Sequence, residues 1–204
     1  MTQRLILVLL LVSVVPAPAA AQSVQSGIKG GITLATVPEI AQALDFDAST
    51  SGFRPGVVAG LFVAFGANDW FAIQPELLYV QKGVDLEVPV GRLRLETDYV
   101  EIPVLAKLAG GRGLRAYLFG GPTFAWRLNA RAITEVGSVS SEEDATEDVR
   151  RTDVGFALGG GIELGFLLVE ARLTEGLTPI NEPTAEIDRD VRNRVFAFMA
   201  GIKF

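Results

Sequence analysis

Within several apolar stretches the charged side chains all share one parity, and they are the residues best placed to do chemistry. Glu101 and Lys107 share parity in one such stretch, as Glu170 and Arg172 do in another. Because side chains of a β-strand alternate between two faces, these charges lie on a single face of each strand. A buried charge without a partner is costly, so we expect a mixed ion-pair network on that face. The predicted members are Lys29, Glu76, Glu101, Lys107, Arg127, Glu163, Glu170, Arg172 and Lys203.

Several other chemistries are disfavoured by composition. The chain contains no His and no Cys, which excludes Cys nucleophiles and Cys/His zinc sites and removes the commonest general base. The glycine runs 30–31 and 159–161 fall inside apolar stretches rather than between a strand and a helix, so they do not predict phosphate loops. A net charge of −6 without a basic cluster argues against nucleic-acid binding. We therefore expect no catalytic residues, no cofactor and no metal centre.

The segment 138–153 is strongly acidic. It contains Glu142, Glu143, Asp144, Glu147, Asp148 and Asp153. We interpret it as a solvated loop, because such a composition cannot bury enough apolar surface to order itself. Weak binding of a divalent cation to its carboxylates stays an alternative, although the spacing of an EF-hand loop is missing.

The first twenty-one residues have the order of a secretory signal peptide. Arg4 precedes an apolar run over 5–15, and the small residues Ala19 to Ala21 follow Pro16. The run is too short for a transmembrane helix, which needs about 20 apolar residues. We expect cleavage after Ala21, leaving 22–204 as one domain.

The mature sequence reads as eight strands separated by alternately long and short breaks. Most of the predicted strands are long enough for the roughly 9 to 11 residues that a tilted strand needs to cross a bilayer. Short periplasmic turns and long extracellular loops are typical of outer-membrane barrels. The sequence therefore predicts an all-β fold, an eight-stranded antiparallel up-and-down transmembrane β-barrel, with long loops at 37–53, 83–98, 129–152 and 178–193. The predicted strands are 27–36, 54–65, 70–82, 99–109, 114–128, 153–164, 167–177 and 194–204.

The last strand carries a second signal for this location. Phe198, Ala200, Ile202 and Phe204 put apolar side chains on one face up to the end of the sequence. This pattern resembles the signal read by the outer-membrane assembly machinery. We expect a monomer in the outer membrane of a Gram-negative bacterium, in contact with lipid and lipopolysaccharide. Alternation alone also fits a soluble lipocalin-like barrel, so that alternative stays open.

Two motifs resemble those of the PorT-like outer-membrane β-barrel family. They are the segment 74–79 followed by Lys82 and Gly83, and the segment 99–107. Gly120 to Pro122, and 170–172 leading to 176–178, are similar to later motifs of that family. The resemblance covers nearly the whole mature chain and implies an eight-stranded barrel. It implies little about activity, because function does not follow from fold.

Three functions remain after these observations. A non-enzymatic structural or surface-interaction role through the long loops is the main hypothesis. A narrow path for ions or small solutes is the second, motivated by the lumen charges. The soluble lipocalin-like binding barrel is the third.

Overall fold

The computed structural model describes residues 23–36, 54–88, 91–136, 139–144, 150–178 and 192–204. The predicted signal peptide, 1–21, lies outside these residues. The described part of the chain forms nine strands: β1 (Ser23–Thr36), β2 (Arg54–Gly66), β3 (Phe71–Val88), β4 (Gly91–Gly110), β5 (Leu114–Val136), β6 (Val139–Asp144), β7 (Thr152–Leu164), β8 (Leu167–Gly176) and β9 (Arg194–Lys203).

Eight of these strands close into a barrel. β1 to β5 pair antiparallel in chain order, β5 then pairs with β7, and β7, β8 and β9 follow in order. The barrel closes where β9 pairs antiparallel with β1. The predicted eight-stranded antiparallel barrel is therefore confirmed, and β6 is an additional strand outside the closed ring.

One end of the barrel carries short turns, and we call it the turn end. The β2–β3 turn is fixed by Asn68, whose Oδ1 accepts hydrogen bonds from the backbone N–H groups of Trp70 and Phe71 at 3.0 and 2.8 Å. The β7–β8 turn contains Gly165 at a φ of 58°, a left-handed conformation that suits glycine. Ser23 and Lys203 also lie at this end, so the longer connections lie at the opposite, loop end.

The predicted loops 83–98 and 129–152 are wrong in part. β3 and β4 stay paired from Lys82–Thr97 out to Val88–Gly91, and the outer part of β5 pairs with both β4 and β6. Together they form an extended sheet at the loop end, made of 82–88, 91–98, 129–136 and β6. Apolar and charged residues alternate over 84–88 and 92–96 as they do in the barrel strands, so the strand signal was present in the sequence. The prediction of long loops gave more weight to the polar composition of these segments.

The barrel is apolar outside, and its interior buries charged side chains next to apolar ones such as Leu78 and Met199. Leu118 and Leu158 on the outer face are 67% and 59% exposed, whereas Glu101 and Arg172 inside are 2% and 4% exposed. A soluble barrel has the reverse arrangement, so an outer face of this kind argues against the lipocalin-like alternative. Among the described residues, no helix has the length and hydropathy needed to cross a membrane.

Candidate functional site: the charged lumen

Four side chains meet in the middle of the lumen, and we call them the central cluster: Lys29, Glu76, Glu170 and Arg172. Lys29 Nζ donates to Glu76 Oε1 at 2.7 Å and to Glu170 Oε1 at 3.0 Å. Arg172 Nη2 donates to Glu170 Oε1 at 2.8 Å, and its Nη1 lies 2.9 Å from Glu76 Oε2. All four side chains are at most 2% exposed. Two cations and two carboxylates thus neutralise each other away from water.

Strand register explains how these residues meet. Lys29 lies on β1 and Glu76 on β3, while Glu170 and Arg172 stand two residues apart on one face of β8. The interior of an eight-stranded barrel is only wide enough for side chains to fill. Long charged side chains from separate strands can therefore reach one another across the lumen.

A second group lies at the turn end, and we call it the turn-end cluster: Lys107, Glu163 and Lys203. Lys107 Nζ donates to Glu163 Oε1 at 2.5 Å, and Lys203 Nζ donates to Glu163 Oε2 at 2.6 Å. Lys107 Nζ also lies 3.3 Å from Gln74 Oε1. One carboxylate here is paired with two ammonium groups, so the cluster has a formal net charge of plus one.

The third group, the loop-end cluster, consists of Lys82, Glu101 and Asp153. Lys82 Nζ lies 3.0 Å from Glu101 Oε2 and 3.3 Å from Asp153 Oδ2. Asp153 also accepts hydrogen bonds from Asn193 Nδ2 at 3.1 Å and from Thr178 Oγ1 at 3.3 Å. Asp153 was predicted both as the start of the strand 153–164 and as the end of a solvated acidic loop. The strand prediction is correct and the loop prediction is wrong at this residue, because Asp153 stands on the inward parity of β7 and is 3% exposed.

Aromatic rings lie next to the buried cations. Lys107 Nζ lies 4.1 Å from the ring centroid of Tyr117, and the Arg172 guanidinium lies 5.0 Å from that of Phe119. Lys82 is placed over Tyr99 in the same way, and Lys29 over Phe62. Cation–π contacts of this kind gain strength when the cation is desolvated. The rings therefore help the carboxylates to stabilise the buried Lys and Arg side chains.

The lumen is closed between its clusters. A cavity of about 10 Å³ separates Arg172 of the central cluster from Lys82 and Glu101 of the loop-end cluster. This volume is the least that holds a single water molecule. Along this stretch the side chains therefore fill the lumen and leave no continuous aqueous path.

Eight of the nine charged residues named from the sequence lie in the three clusters, and Arg127 does not. Arg127 is half-buried near the loop end, opposite Tyr99 in the β4–β5 register. Sequence reasoning missed Lys82 and Asp153. Lys82 could have been predicted, because it has the same parity on the strand as Glu76. Asp153 was missed because it follows a run of other acidic residues.

The described residues contain no group of three or more acidic side chains that could hold a metal ion. Within the acidic segment 138–153, residues 139–144 form β6, and 145–149 lie outside the described residues. Divalent-cation binding by this segment therefore stays a prediction.

Comparison with known families decides the class of this barrel. A family described as "Outer membrane protein beta-barrel domain" matches residues 20–182, most of the chain. The chain belongs to this outer-membrane β-barrel family. For a member of this family, the short turns face the periplasm and the extended sheet lies outside the cell.

Three solved structures of bacterial proteins are similar to this chain. Ail, the attachment invasion locus protein of Yersinia pestis, is 14% identical, with 88% of this chain and 98% of that chain covered and a TM-score of 0.43. Neisserial surface protein A is 14% identical, with 89% and 97% covered and a TM-score of 0.45. OprG from Pseudomonas aeruginosa is 14% identical, with 88% and 95% covered and a TM-score of 0.43. No curated protein matches this outer-membrane barrel in sequence.

Proposed function

We propose that this protein is a closed, non-enzymatic outer-membrane barrel with a structural or surface-interaction role, exercised through its extended sheet. The proposal rests on one observation: the two ends of β3, β4 and β5 differ in their surroundings. Within the barrel their side chains neutralise one another and fill the lumen, whereas β3, β4 and β5 continue beyond it as paired strands. A closed lumen leaves the outer surface as the part of the molecule that can meet a partner.

Bonding within the extended sheet supports a rigid binding surface. Arg54 Nη2 lies 2.7 Å from Glu96 Oε1, and Arg54 Nη1 donates to the backbone oxygen of Lys82 at 3.1 Å. Arg94 Nε donates to Asp85 Oδ1 at 2.8 Å across the β3–β4 pair. These contacts tie the sheet to β2 at the barrel rim and hold it in one arrangement. A preformed surface loses less conformational entropy on binding than a flexible loop does.

Catalysis and conduction are the less favoured functions. The lumen clusters contain carboxylates, ammonium groups and a guanidinium but no histidine, and each carboxylate lies in an ion pair with Lys or Arg. A conducting pore needs ions to enter and leave a water-filled path, which the closure beside Arg172 opposes.

We further propose that the chain is PorT-like within its family and is exported by cleavage after Ala21. The segments 74–79 and 99–107 support the first point, because they form the lumen-lining parts of β3 and β4. Mass spectrometry of the purified protein, with Gln22 as the expected first residue, tests the second. Recognition by the outer-membrane assembly machinery would use the outward face of β9, where Phe198 and Phe204 are 53% and 74% exposed.

Shortening the β3–β4 hairpin tests the main proposal. Residues 84–95 are replaced by Asn-Gly, a two-residue turn that fits antiparallel strands, so that Gly83 is joined to Glu96 through the turn. We expect heat-modifiable gel migration to persist, because the barrel register is untouched. We also expect expressing cells to lose surface binding or serum survival.

The matched control is Arg94→Gln, which removes one ion pair and keeps the hairpin. Unchanged behaviour of the shortened variant in every one of these assays would overturn the proposal. Discrete conductance in planar bilayers that changes with Glu101→Gln would favour the channel instead.

A further inference from the structure

Two cavities meet at the periplasmic rim of the barrel. The first, which we call the vestibule, is a polar space of about 240 Å³ in the mouth of the lumen, lined by Gln25, Asn68, Lys107, Arg115 and Glu163 among others. The second, which we call the groove, has about 410 Å³ and is lined by apolar and small residues. Trp70 and Ala109 line both cavities, so a single rim separates them.

The groove faces the bilayer. Leu108 and Leu118 are cross-strand partners on the outward face of β4 and β5, at one end of the groove, and are 49% and 67% exposed. Gly110 and Ala116 form the next pair on this face toward the β4–β5 turn, and their small side-chain volume makes a depression in the barrel surface. Trp70, at the rim, is 60% exposed, in the position of an interfacial aromatic anchor. A groove of this shape fits an acyl chain.

The charged residues that line the vestibule are Lys107, Arg115, Asp69 and Glu163, and Lys107 is paired with Glu163, so Arg115 is the cation best placed to bind an anionic group. Arg115 Nη2 donates to the backbone oxygen of Asp69 at 2.6 Å. That contact uses one of the five N–H donors of the guanidinium, and its acceptor is a backbone oxygen rather than a carboxylate. Lys107 borders the same space and shares Glu163 with Lys203, so the turn-end cluster keeps its surplus positive charge. An anion placed here would gain charge-assisted hydrogen bonds.

From this juxtaposition we infer a phospholipid site at the periplasmic rim. The acyl chain lies in the groove, the glycerol passes over Trp70 and Ala109, and the phosphate binds Arg115 from the vestibule side. A phospholipid combines apolar chains with a phosphate in one molecule, which matches the paired cavities better than a free anion or a hydrocarbon alone. The site lies at the leaflet that faces the periplasm, where phospholipid is present.

Native mass spectrometry of the folded barrel in detergent tests this site, with phosphatidylglycerol, phosphatidylcholine or inorganic phosphate added. We expect retained phosphatidylglycerol adducts on the unaltered protein. Arg115→Gln should weaken this binding about tenfold, the effect of losing a charge-assisted hydrogen bond. Gly110→Leu should also weaken it by filling the groove, and an added Cβ at Gly110 meets nothing within 4 Å, so the barrel should tolerate the change.

Two matched controls separate the site from general lipid contact. Ala200→Leu enlarges another outward-facing position on β9, and Arg94→Gln removes an arginine from the extended sheet. Both should retain phosphatidylglycerol as the unaltered protein does. Equal retention by all variants would overturn the inference, as would binding of inorganic phosphate with no retained lipid. Loss of heat-modifiable migration in either test variant would move the test to Ala116→Leu and Arg115→Ala, with the same expected losses.

Discussion

Two ion-pair groups involving the same strand, β8, differ almost entirely in their surroundings. Glu170 and Arg172 of the central cluster are at most 2% exposed, whereas the pair of Glu175 and Arg194 is 36% and 42% exposed. Their geometry is similar, with contacts of 2.8 Å in the lumen and of 2.7 and 2.9 Å in the exposed bidentate pair. Parity along the strand thus sets how far an ion pair is removed from water, whereas the contact distances are nearly the same, and we expect burial to decide what each pair contributes to stability.

The physical reason is desolvation. When two exposed side chains form an ion pair, each gives up hydration that it already had. Exposed pairs therefore contribute only about 0–1 kcal/mol to the free energy of unfolding. In the lumen no water can take over the role of a lost partner. Removal of one member of a buried pair therefore costs about 3–5 kcal/mol, most of it from the uncompensated charge that stays behind.

Glu76→Gln should have the largest effect. Glu76 is contacted by Lys29 at 2.7 Å, by Gln74 at 2.8 Å and by Arg172 at 2.9 Å, so its neutralisation leaves two cations facing Glu170 alone. We expect the free energy of unfolding to fall by about 3–5 kcal/mol. Urea titration of the protein in lipid vesicles, followed by gel migration and by the fluorescence of Trp70 and Trp126, measures the loss. A loss below 1 kcal/mol would mean that water reaches the cluster.

Much of the barrel, though less of its outer part, could be predicted from the sequence. Within the barrel each strand separates a lipid face from a lumen face, so period-two alternation marks both the strands and the charges, as in Glu101 and Lys107. In the extended sheet the alternation continues, as in Val84-Asp85-Leu86-Glu87-Val88, but both faces of this sheet can meet water, so its polar composition was interpreted as a loop. The sequence also did not show which charged residues pair in the lumen. Whether Lys29 contacts Glu76 or Glu101 depends on the stagger of the strands, which composition does not encode.

Gly159→Ala should have the next largest effect, because this glycine makes room for a ring beside the central cluster. A Cβ at residue 159 would collide with the Phe119 ring and the backbone oxygen of Ala171. Phe119 is the ring over which Arg172 lies, so the collision disturbs the cluster from its apolar side. We expect a loss of about 1–3 kcal/mol, as for an overpacked core.

Gly110→Ala, where the added methyl group meets nothing within 4 Å, is the matched control in the same urea titration. Equal stability of the two alanine variants would contradict the steric account.

The double variant Lys29→Gln with Glu76→Gln sharpens the comparison. It removes one cation and one carboxylate, which leaves Arg172 and Glu170 as a neutral pair at 2.8 Å. The loss should therefore be smaller than the sum of the two single losses, with a coupling free energy of about 0.5–3 kcal/mol. The measurement is a double-mutant cycle from urea titrations of the three variants. Additive losses in the free energy of unfolding would show that Lys29 and Glu76 do not interact.

Glu175→Gln should have the smallest effect, although it makes the same chemical change as Glu76→Gln, because Glu175 is 36% exposed whereas Glu76 is buried in the lumen. We expect a change of about 0–1 kcal/mol in the free energy of unfolding, since water already reaches both members of this pair. Raising the ionic strength to about 1 M shortens the screening length to about 3 Å and should erase even that difference. The Glu76→Gln loss should persist in the same salt, since ions do not enter the filled lumen. A salt-independent loss at Glu175 would mean that lipid headgroups or the neighbouring chain bury this pair after all.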